Sequence, residues 1–395
     1  MKKITVLIVV LAGIIACNKI LPGAPADDEI LDGPVAGLSP EQNAIFLRGD
    51  IAFNDEVFTT STGLGPLFVA TSCGSCHAGD GKGHTFSTLT RFGQTTASGN
   101  QFLNQGGPQL QHRAIPGFQP EQIPAGATFS KFMPPANTGL GFLDAVPDAT
   151  LIALADENDT NGDGISGKPN WINTPPYAVI RPAPVIQSGK YIGRFGKKAA
   201  AYNLLHQTAN AYNQDMGITS VFESFDTYSG LSIDPEVAVK TVNEVVFYLQ
   251  TLKAPVQRNQ SSAEIQSGKQ IFINTGCAKC HTPVQATGIS FIAALSNKTF
   301  FPYSDLLLHD MGPGLDDGYT EGSATTAEWR TPPLWGLGLS KNSQGGHYFL
   351  LHDGRAKTIE EAILLHGGEG SQSKSTFQQL TAKDKAMLIK FLESL

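Results

Sequence analysis

Cys73-Gly74-Ser75-Cys76-His77 and Cys277-Ala278-Lys279-Cys280-His281 are the two stretches that decide the reading of this chain. Each has the form C-x-x-C-H. Two thiols three positions apart can both reach the vinyl groups of one porphyrin, and the next residue then sets an imidazole under the iron. The same cysteine pairs could instead close disulfides or share one zinc ion. Neither of those needs a histidine directly after the second cysteine, twice. The pattern therefore predicts two haem c groups, held by thioethers at Cys73, Cys76, Cys277 and Cys280, with His77 and His281 as proximal iron ligands. The chain has five cysteines. The fifth is Cys17, so no thiol remains for chemistry of its own.

Towards the N-terminus, Lys2 and Lys3 precede an uncharged apolar run from Ile4 to Ala16. That run is too short to cross a membrane as a mature helix and has the length of a signal h-region. It ends Ile14-Ile15-Ala16-Cys17, which resembles a bacterial lipobox. Residues 1–16 are thus expected to be a lipoprotein signal peptide, with Cys17 lipidated. A plain secretory signal with an incidental cysteine is the alternative. Residues 17–37, polar and rich in Pro, Gly and Asp, read as a flexible tether. The mature protein is expected on the periplasmic face of a bacterial membrane, lipid-anchored, where c-type haem is attached. The net charge is −7 and no basic cluster occurs, which argues against nucleic acid as a partner.

The 395 residues exceed what one core usually serves, so two domains are expected. Flanking helices suggest a repeat. Ser39-Pro40-Glu41-Gln42 is a capping box with proline at the first helical position, opening a helix to about Phe53. Asp234-Pro235 is expected to open another, with Ala238, Val242, Val245, Leu249 and Leu252 on one face. In the second half Ser262 opens a helix running to about Thr275, and Thr381 caps a closing helix carrying Met387, Leu388, Phe391, Leu392 and Leu395. The expected fold is mostly α. It comprises two cytochrome c-like haem domains, 38–255 and 260–395, joined through a polar stretch at 253–263. The first carries a large, loop-rich insertion with a short helix after Asp148, a suitable place for a substrate pocket or lid. Inside it, Asp159-Thr160-Asn161-Gly162-Asp163-Gly164 matches the start of an EF-hand loop, making Asp159, Asn161 and Asp163 candidate calcium ligands. The twelfth position is Asn170 rather than Glu, and a tight polar turn is the alternative.

The second half carries Glu328-Trp329-Arg330-Thr331-Pro332-Pro333-Leu334-Trp335-Gly336, then His352-Asp353-Gly354-Arg355-Ala356, then Thr358-Ile359-Glu360-Glu361-Ala362. These runs resemble bacterial di-haem cytochrome c peroxidases. The chain is more similar still to their sister family, the di-haem oxidoreductases, sometimes called thiol oxidoreductases. That resemblance extends over Leu64–Phe68, Gly139–Asp144, Asn161–Gly167, Gly193–Gly196, Asp215–Thr219 and Pro302–Gly312, nearly the whole mature chain. It implies a peroxidase-like oxidoreductase. Electrons would enter at the C-terminal haem and the substrate would react at the N-terminal one.

The sixth iron ligands decide whether such a protein reacts or only conducts. In the peroxidases the C-terminal haem takes a methionine fourteen positions after the H-D-G histidine. In a relative that modifies tryptophan in another protein the ligand there is tyrosine. Here that position is His366, so the resemblance implies His281/His366 ligation, with Met311 as the rival. A histidine answering the helix dipole is the plainer reading of His366. For the first haem, Met216 is the candidate in Asp215-Met216-Gly217, against an open distal side; Met133 is a further methionine. His352, His309 and His347 suit structural or propionate-binding roles, and His84, His112 and His206 lie in the first half. Gln111, Arg113 and Arg194 are candidate neighbours for an acid–base step, or ordinary loop residues. The expected partners are a redox protein and a small oxidant such as peroxide. Two other classes stay open: a di-haem electron carrier without a substrate, and an iron-handling partner of a surface uptake system.

Overall fold

The capping box at Ser39 forms as the sequence predicts. Its side chain accepts from the Gln42 amide at 3.2 Å while its own amide donates to Gln42 Oε1 at 3.0 Å, and helix α1 runs Pro40–Asn54. The chain is represented by a computed structural model that describes residues 26–93, 102 and 108–395. The predicted signal peptide, Cys17 and the first part of the tether lie outside the described residues. From Leu31 to Leu395 the chain forms one compact unit.

Nine further helices follow among the described residues: α2 Leu140–Asp144, α3 Asp148–Leu154, α4 Leu204–Asn210, α5 Val239–Thr251, α6 Ala263–Asn274, α7 Ser340–Ser343, α8 Ile359–Leu364, α9 Ser371–Gln379 and α10 Ala382–Ser394. Between them lie short antiparallel ladders of two or three strands. Helices outweigh strands, but the insertion folds mainly as these ladders and loops. Leu89–Phe92 pairs with Phe129–Phe132, and Lys190–Ile192 is flanked by Trp171–Ile172 and Ile186–Gln187. No described helix is long and apolar enough to cross a membrane.

Helix α5 begins later than Asp234-Pro235 suggests, at Val239. The residues before it are held elsewhere. The amides of Glu236 and Val237 donate to the Thr219 carbonyl, and Thr219 Oγ1 donates to the Asp234 carbonyl at 3.0 Å. Four bonds to a neighbouring loop outcompete a first helical turn, counting the Thr219 amide on the Glu236 carboxylate at 3.0 Å. The polar stretch at 253–263 is also tied down: Lys253 N donates to Gly33 O, and Arg258 N to Ser394 O.

One kind of helix crossing occurs twice along the chain. Helix α1 packs on α5, and α6 on α10. Gly49 on α1 faces the Glu244 carbonyl and Tyr248, so closely that a methyl there would lie 2.7 Å from Tyr248 Cβ. Gly268 on α6 faces the Met387 carbonyl and Phe391, and a methyl there would lie 2.7 Å from Phe391 Cβ. One turn on from each glycine is a phenylalanine. Phe53 lies 5.9 Å from the His77 ring and 5.6 Å from Tyr248; Phe272 lies 6.5 Å from His281 and 5.4 Å from Phe391. Each C-x-x-C-H turn is thus supported by the same glycine-mediated helix crossing. Two main apolar cores follow from this. One gathers residues from Phe46 to Leu252 together with Phe300, Leu306, Leu307 and Trp335; the other is built wholly from Ile265 to Leu395.

Candidate haem-binding site

Each C-x-x-C-H stretch closes one tight turn. The Cys73 carbonyl accepts from the amides of Cys76 and His77, and the Cys277 carbonyl from those of Cys280 and His281. Gly276, at φ +85°, supplies the left-handed step by which α6 enters the second turn. All four cysteines and both histidines line one cavity of about 500 Å³.

The two histidines are prepared as metal ligands. His77 Nδ1 bonds the Pro135 carbonyl at 2.9 Å, and His281 Nδ1 bonds the Tyr303 carbonyl at 3.0 Å. A carbonyl only accepts, so Nδ1 carries the proton in each and Nε2 keeps its lone pair. Burial pushes both imidazoles down to about 4, so both are neutral at neutral pH. The thiols are the opposite of reactive. Burial pushes Cys73 up to about 12 and Cys76 to about 11, and raises Cys277 and Cys280 as well. They are placed for thioether formation and poorly suited to thiolate chemistry.

These residues fit haem by a further test. The cavity holds uncompensated positive charge: Lys82, Lys197 and Arg330 line it, and none of the three is in an ion pair among the described residues. A mostly apolar hollow with two thiol pairs, two Nε2 lone pairs and free cations suits a dianionic porphyrin at each turn.

Candidate sixth ligands line the same cavity. His366, just past α8, donates from Nδ1 to the Ala362 carbonyl at 2.7 Å, which again leaves Nε2 free. Burial keeps it neutral, and its charge would act on His281. Met311 stands beside it: a methyl on Gly370 would lie 3.3 Å from His366 Cδ2 and 3.4 Å from Met311 Cε. On the first-haem side, Met216 follows a π-helical turn at Ala211–Asp215 and is almost wholly buried. Met133 also reaches the cavity, its amide donating to the His352 carbonyl at 2.6 Å.

The other histidines divide by surroundings. His352 stacks on Trp329 with 3.7 Å between ring centroids, and Lys198 Nζ lies 3.8 Å from the centre of that indole. His309 is clamped between two carboxylates, Nε2 to Asp305 Oδ2 at 2.8 Å and Nδ1 to Glu369 Oε2 at 2.6 Å. Burial opposes its charge, but the bonds to Asp305, Cys280 and Glu369 together raise its pKa well above the ordinary value. Cys280, Asp305 and His309 form the close cluster of metal-type donors among the described residues; Cys280 is taken once a thioether forms. His347 is exposed, His84 and His112 line a smaller hollow, and His206 accepts the Tyr202 amide at 3.1 Å away from the cavity.

Three candidate acid–base residues lie elsewhere. Gln111 is buried and donates to the Gln214 carbonyl; Arg113 lines the smaller hollow; Arg194 is buried against Asp148 and the Leu143 carbonyl. None of them lines the cavity. Residues not singled out from sequence do. Asp215 sits there, and burial pushes its carboxyl up to about 7 against the opposing pull of Arg91. Arg91 is fixed by Glu321 at 2.6 Å and by Gln214 Oε1 at 3.3 Å. Asp215 was within reach of sequence reasoning, because it opens the D-M-G run. The Arg91–Glu321 pair spans most of the chain and leaves no local trace.

The Asp159–Gly164 loop is a self-bonded turn. Asp159 Oδ1 accepts from the amides of Asp163 and Gly164, Asn161 Oδ1 from that of Asp163, and Asp163 Oδ1 from that of Ile165. Lys279, inside the second haem motif, pairs with Asp163 Oδ2 at 3.1 Å. Asn170 is turned away, donating to the carbonyls of Lys198 and Glu321.

A family profile described as "Di-haem oxidoreductase, putative peroxidase" matches residues 130–395, two thirds of the chain. No curated protein matches it in sequence. Among solved structures, the diheme peroxidase BthA of Burkholderia thailandensis E264 is similar at 16% identity and a TM-score of 0.43, covering 95% of this chain and 94% of its own. Hydrazine synthase of Kuenenia stuttgartiensis gives 14% and 0.41, over 95% and 98%. A MauG-like protein associated with microbial copper homeostasis gives 17% and 0.33, over 66% and 89%.

Proposed function

The chain belongs to the di-haem oxidoreductase family, and from that premise we propose a division of labour between its two C-x-x-C-H turns. It is a peroxidase-like haem enzyme. Bound at Cys277, Cys280 and His281, haem would supply an electron-accepting centre, and at Cys73, Cys76 and His77 an iron on which peroxide is reduced. The observation that carries this reading is the pair of tethered histidines, each with Nε2 free, on one shared cavity. Two cytochrome c-like domains, 38–255 and 260–395, are part of the proposal, supported by the repeated glycine crossing.

Reducing peroxide to two waters consumes two electrons and two protons. Asp215 is a suitable proton donor, because its carboxyl still holds a proton near neutral pH and faces the cavity. Arg91, held by Glu321, offers a fixed positive charge beside it for the departing oxygen. His366 would close the iron of the second haem, while the tight Nδ1–Ala362 bond keeps its ring from swinging. The protein would work exported, lipid-anchored through Cys17 on the periplasmic face of a bacterial membrane, receiving electrons from a redox protein. Cys17→Ser should release it in soluble form.

The test is steady-state turnover of hydrogen peroxide by holoprotein supplied with a reduced small cytochrome. Two six-coordinate haems in both the oxidised and half-reduced states, with no turnover, would defeat the reading. A di-haem carrier is the second reading. It is favoured by Met216 and Met133, either of which could close the first iron from the cavity wall. Carbon monoxide binding to the half-reduced protein separates the two.

A further inference from the structure

Lys197 and Lys198 are adjacent in sequence and opposite in circumstance. Lys198 Nζ donates to the carbonyls of Thr325, Thr326 and Glu328 at 3.1, 3.1 and 2.9 Å, and lies 3.6 Å from Asp317. Lys197 has no such shell. Lys197 lines the haem cavity, where two more cations, Lys82 and Arg330, act on it, with Asp353 as the weaker opposing carboxylate and outside ion-pair range. Lys82 follows His77 by five residues in the same loop. Arg330 spends its guanidinium on the Gly196 carbonyl at 3.0 Å and its neighbour Thr331 at 3.3 Å; among the described residues no carboxylate is in ion-pair range, and Asp305 acts on it only from farther away.

Like charges do not gather in a low-dielectric hollow without an anion between them. The backbone nevertheless holds all three in place. The Lys82 carbonyl accepts from Ser343 Oγ at 2.7 Å, and the Lys197 carbonyl accepts from the Arg330 amide at 3.0 Å. Three separate segments are brought together for this: the first haem loop, the insertion and the E-W-R strand of the second half. Burial pushes Lys82 down to about 8, Arg330 to about 10 and Lys197 well below its usual value, with Lys82 and Arg330 adding to the last. The amide of Gly83, next to Lys82, donates to the Pro134 carbonyl at 3.0 Å while His77 Nδ1 bonds the following carbonyl, Pro135, at 2.9 Å, which places the group beside the first iron site.

We propose that Lys82, Lys197 and Arg330 form a carboxylate clamp that receives the propionates of the haem held by Cys73, Cys76 and His77. A propionate brings the missing negative charge, and Arg330 offers the forked geometry that carboxylates match. The clamp joins the insertion and the second half to the first haem through the cofactor itself. It also sets that haem's potential, since nearby cations favour the less positive ferrous state. The inference rests on the haem content and not on the direction of electron flow, so a failed peroxidase assay leaves it standing.

The test is a spectroelectrochemical titration of holoprotein carrying K197Q, R330Q or K82Q, with K240Q on the exposed face of α5 as control. Thioethers keep both haems in place, so pyridine haemochrome should still count two per chain. One of the two midpoint potentials should fall in each clamp variant while the other stays, and it should become pH-dependent near neutrality as the released propionate titrates. K197R should restore the parent value. Unmoved potentials in both K197Q and R330Q would overturn the clamp. So would a wild-type potential that shifts on titration with formate or phosphate, because the cations would then serve a dissolved anion rather than the propionates. Should K197Q fail to fold, the R330Q and K82Q potentials decide.

Discussion

Gly268→Ala tests the crossing that supports the second haem turn. The added methyl would lie 2.7 Å from Phe391 Cβ and closer still to the Met387 carbonyl. Carbon pairs rest at about 3.5–4.0 Å, so α6 and α10 must part by about 1 Å at their crossing. The obstacle is backbone, which has no rotamer to escape into. Overpacking of this kind costs about 1–3 kcal/mol, and the better helix propensity of alanine returns at most ~1 kcal/mol. A net loss of about 1–2 kcal/mol lowers the melting temperature of a unit this large by roughly 1–3 °C. The displacement should also be felt at the iron, because Phe272, one turn along α6, packs on His281 at 6.5 Å and on Tyr303 at 5.8 Å. The assay is thermal unfolding of holoprotein followed at the haem bands, with the low-spin electron paramagnetic resonance signals recorded before melting. Gly49→Ala should perturb the other haem by the same route, through Phe53 and His77. Gly314→Ala is the control, since no atom of the described residues lies within 4 Å of the added methyl and its φ lies outside the left-handed region. A G268A protein as stable as the parent, with unaltered spectra, would refute the close crossing.

Asp215→Asn should lower peroxide turnover by about 10²-fold or more, and the fall in wild-type rate above about pH 7, where the carboxyl of Asp215 loses its proton, should vanish from the variant's pH profile. His366→Met should raise the potential of one haem and replace a bis-histidine low-spin signal by a histidine–methionine one; an unchanged spectrum would mean that His366 is not an iron ligand. His309 has a pKa raised above its unfolded value of about 6.5, so its stabilising contribution is fully present below that pH and is lost as pH rises through the raised folded value. Melting temperature against pH should therefore slope downward above neutrality in the parent, and His309→Gln should remove that component of the slope.

What the sequence disclosed is what depends on near neighbours. A C-x-x-C-H turn is written in five residues, and the caps at Ser39 and Thr381 each span four. Those elements form where expected. Asp234-Pro235 misled because a helix start is a competition, and Thr219, fifteen residues away, wins it. The glycine crossings went unseen although they repeat. Gly49 stands twenty-four residues before its motif and Gly268 nine, so no fixed period links them. Arg194 looked available for catalysis because its buried pairing with Asp148 cannot be read from spacing. Lys197 and Lys198 are indistinguishable in sequence, and only packing decides that one is shelled by carbonyls and the other opens on a cavity.

The insertion explains why two haem sites share one hollow. Two minimal cytochromes on a linker would each close over their own porphyrin. Here the insertion reaches into the second half at several points. The Met133 amide meets the His352 carbonyl, Asn170 meets the Glu321 carbonyl, Lys168 pairs with Glu328 at 2.6 Å, and Lys197 holds the Arg330 backbone. Every one of these contacts borders a segment that also lines the cavity or flanks the E-W-R strand. The E-W-R strand belongs to the second half in sequence, yet it presents Arg330 to the cations grouped near His77 and Trp329 to the His352 ring. The electrostatics of the first haem are therefore set in part by residues beyond position 300. On the proposed clamp, the potential measured on either half alone should differ from that of the whole chain.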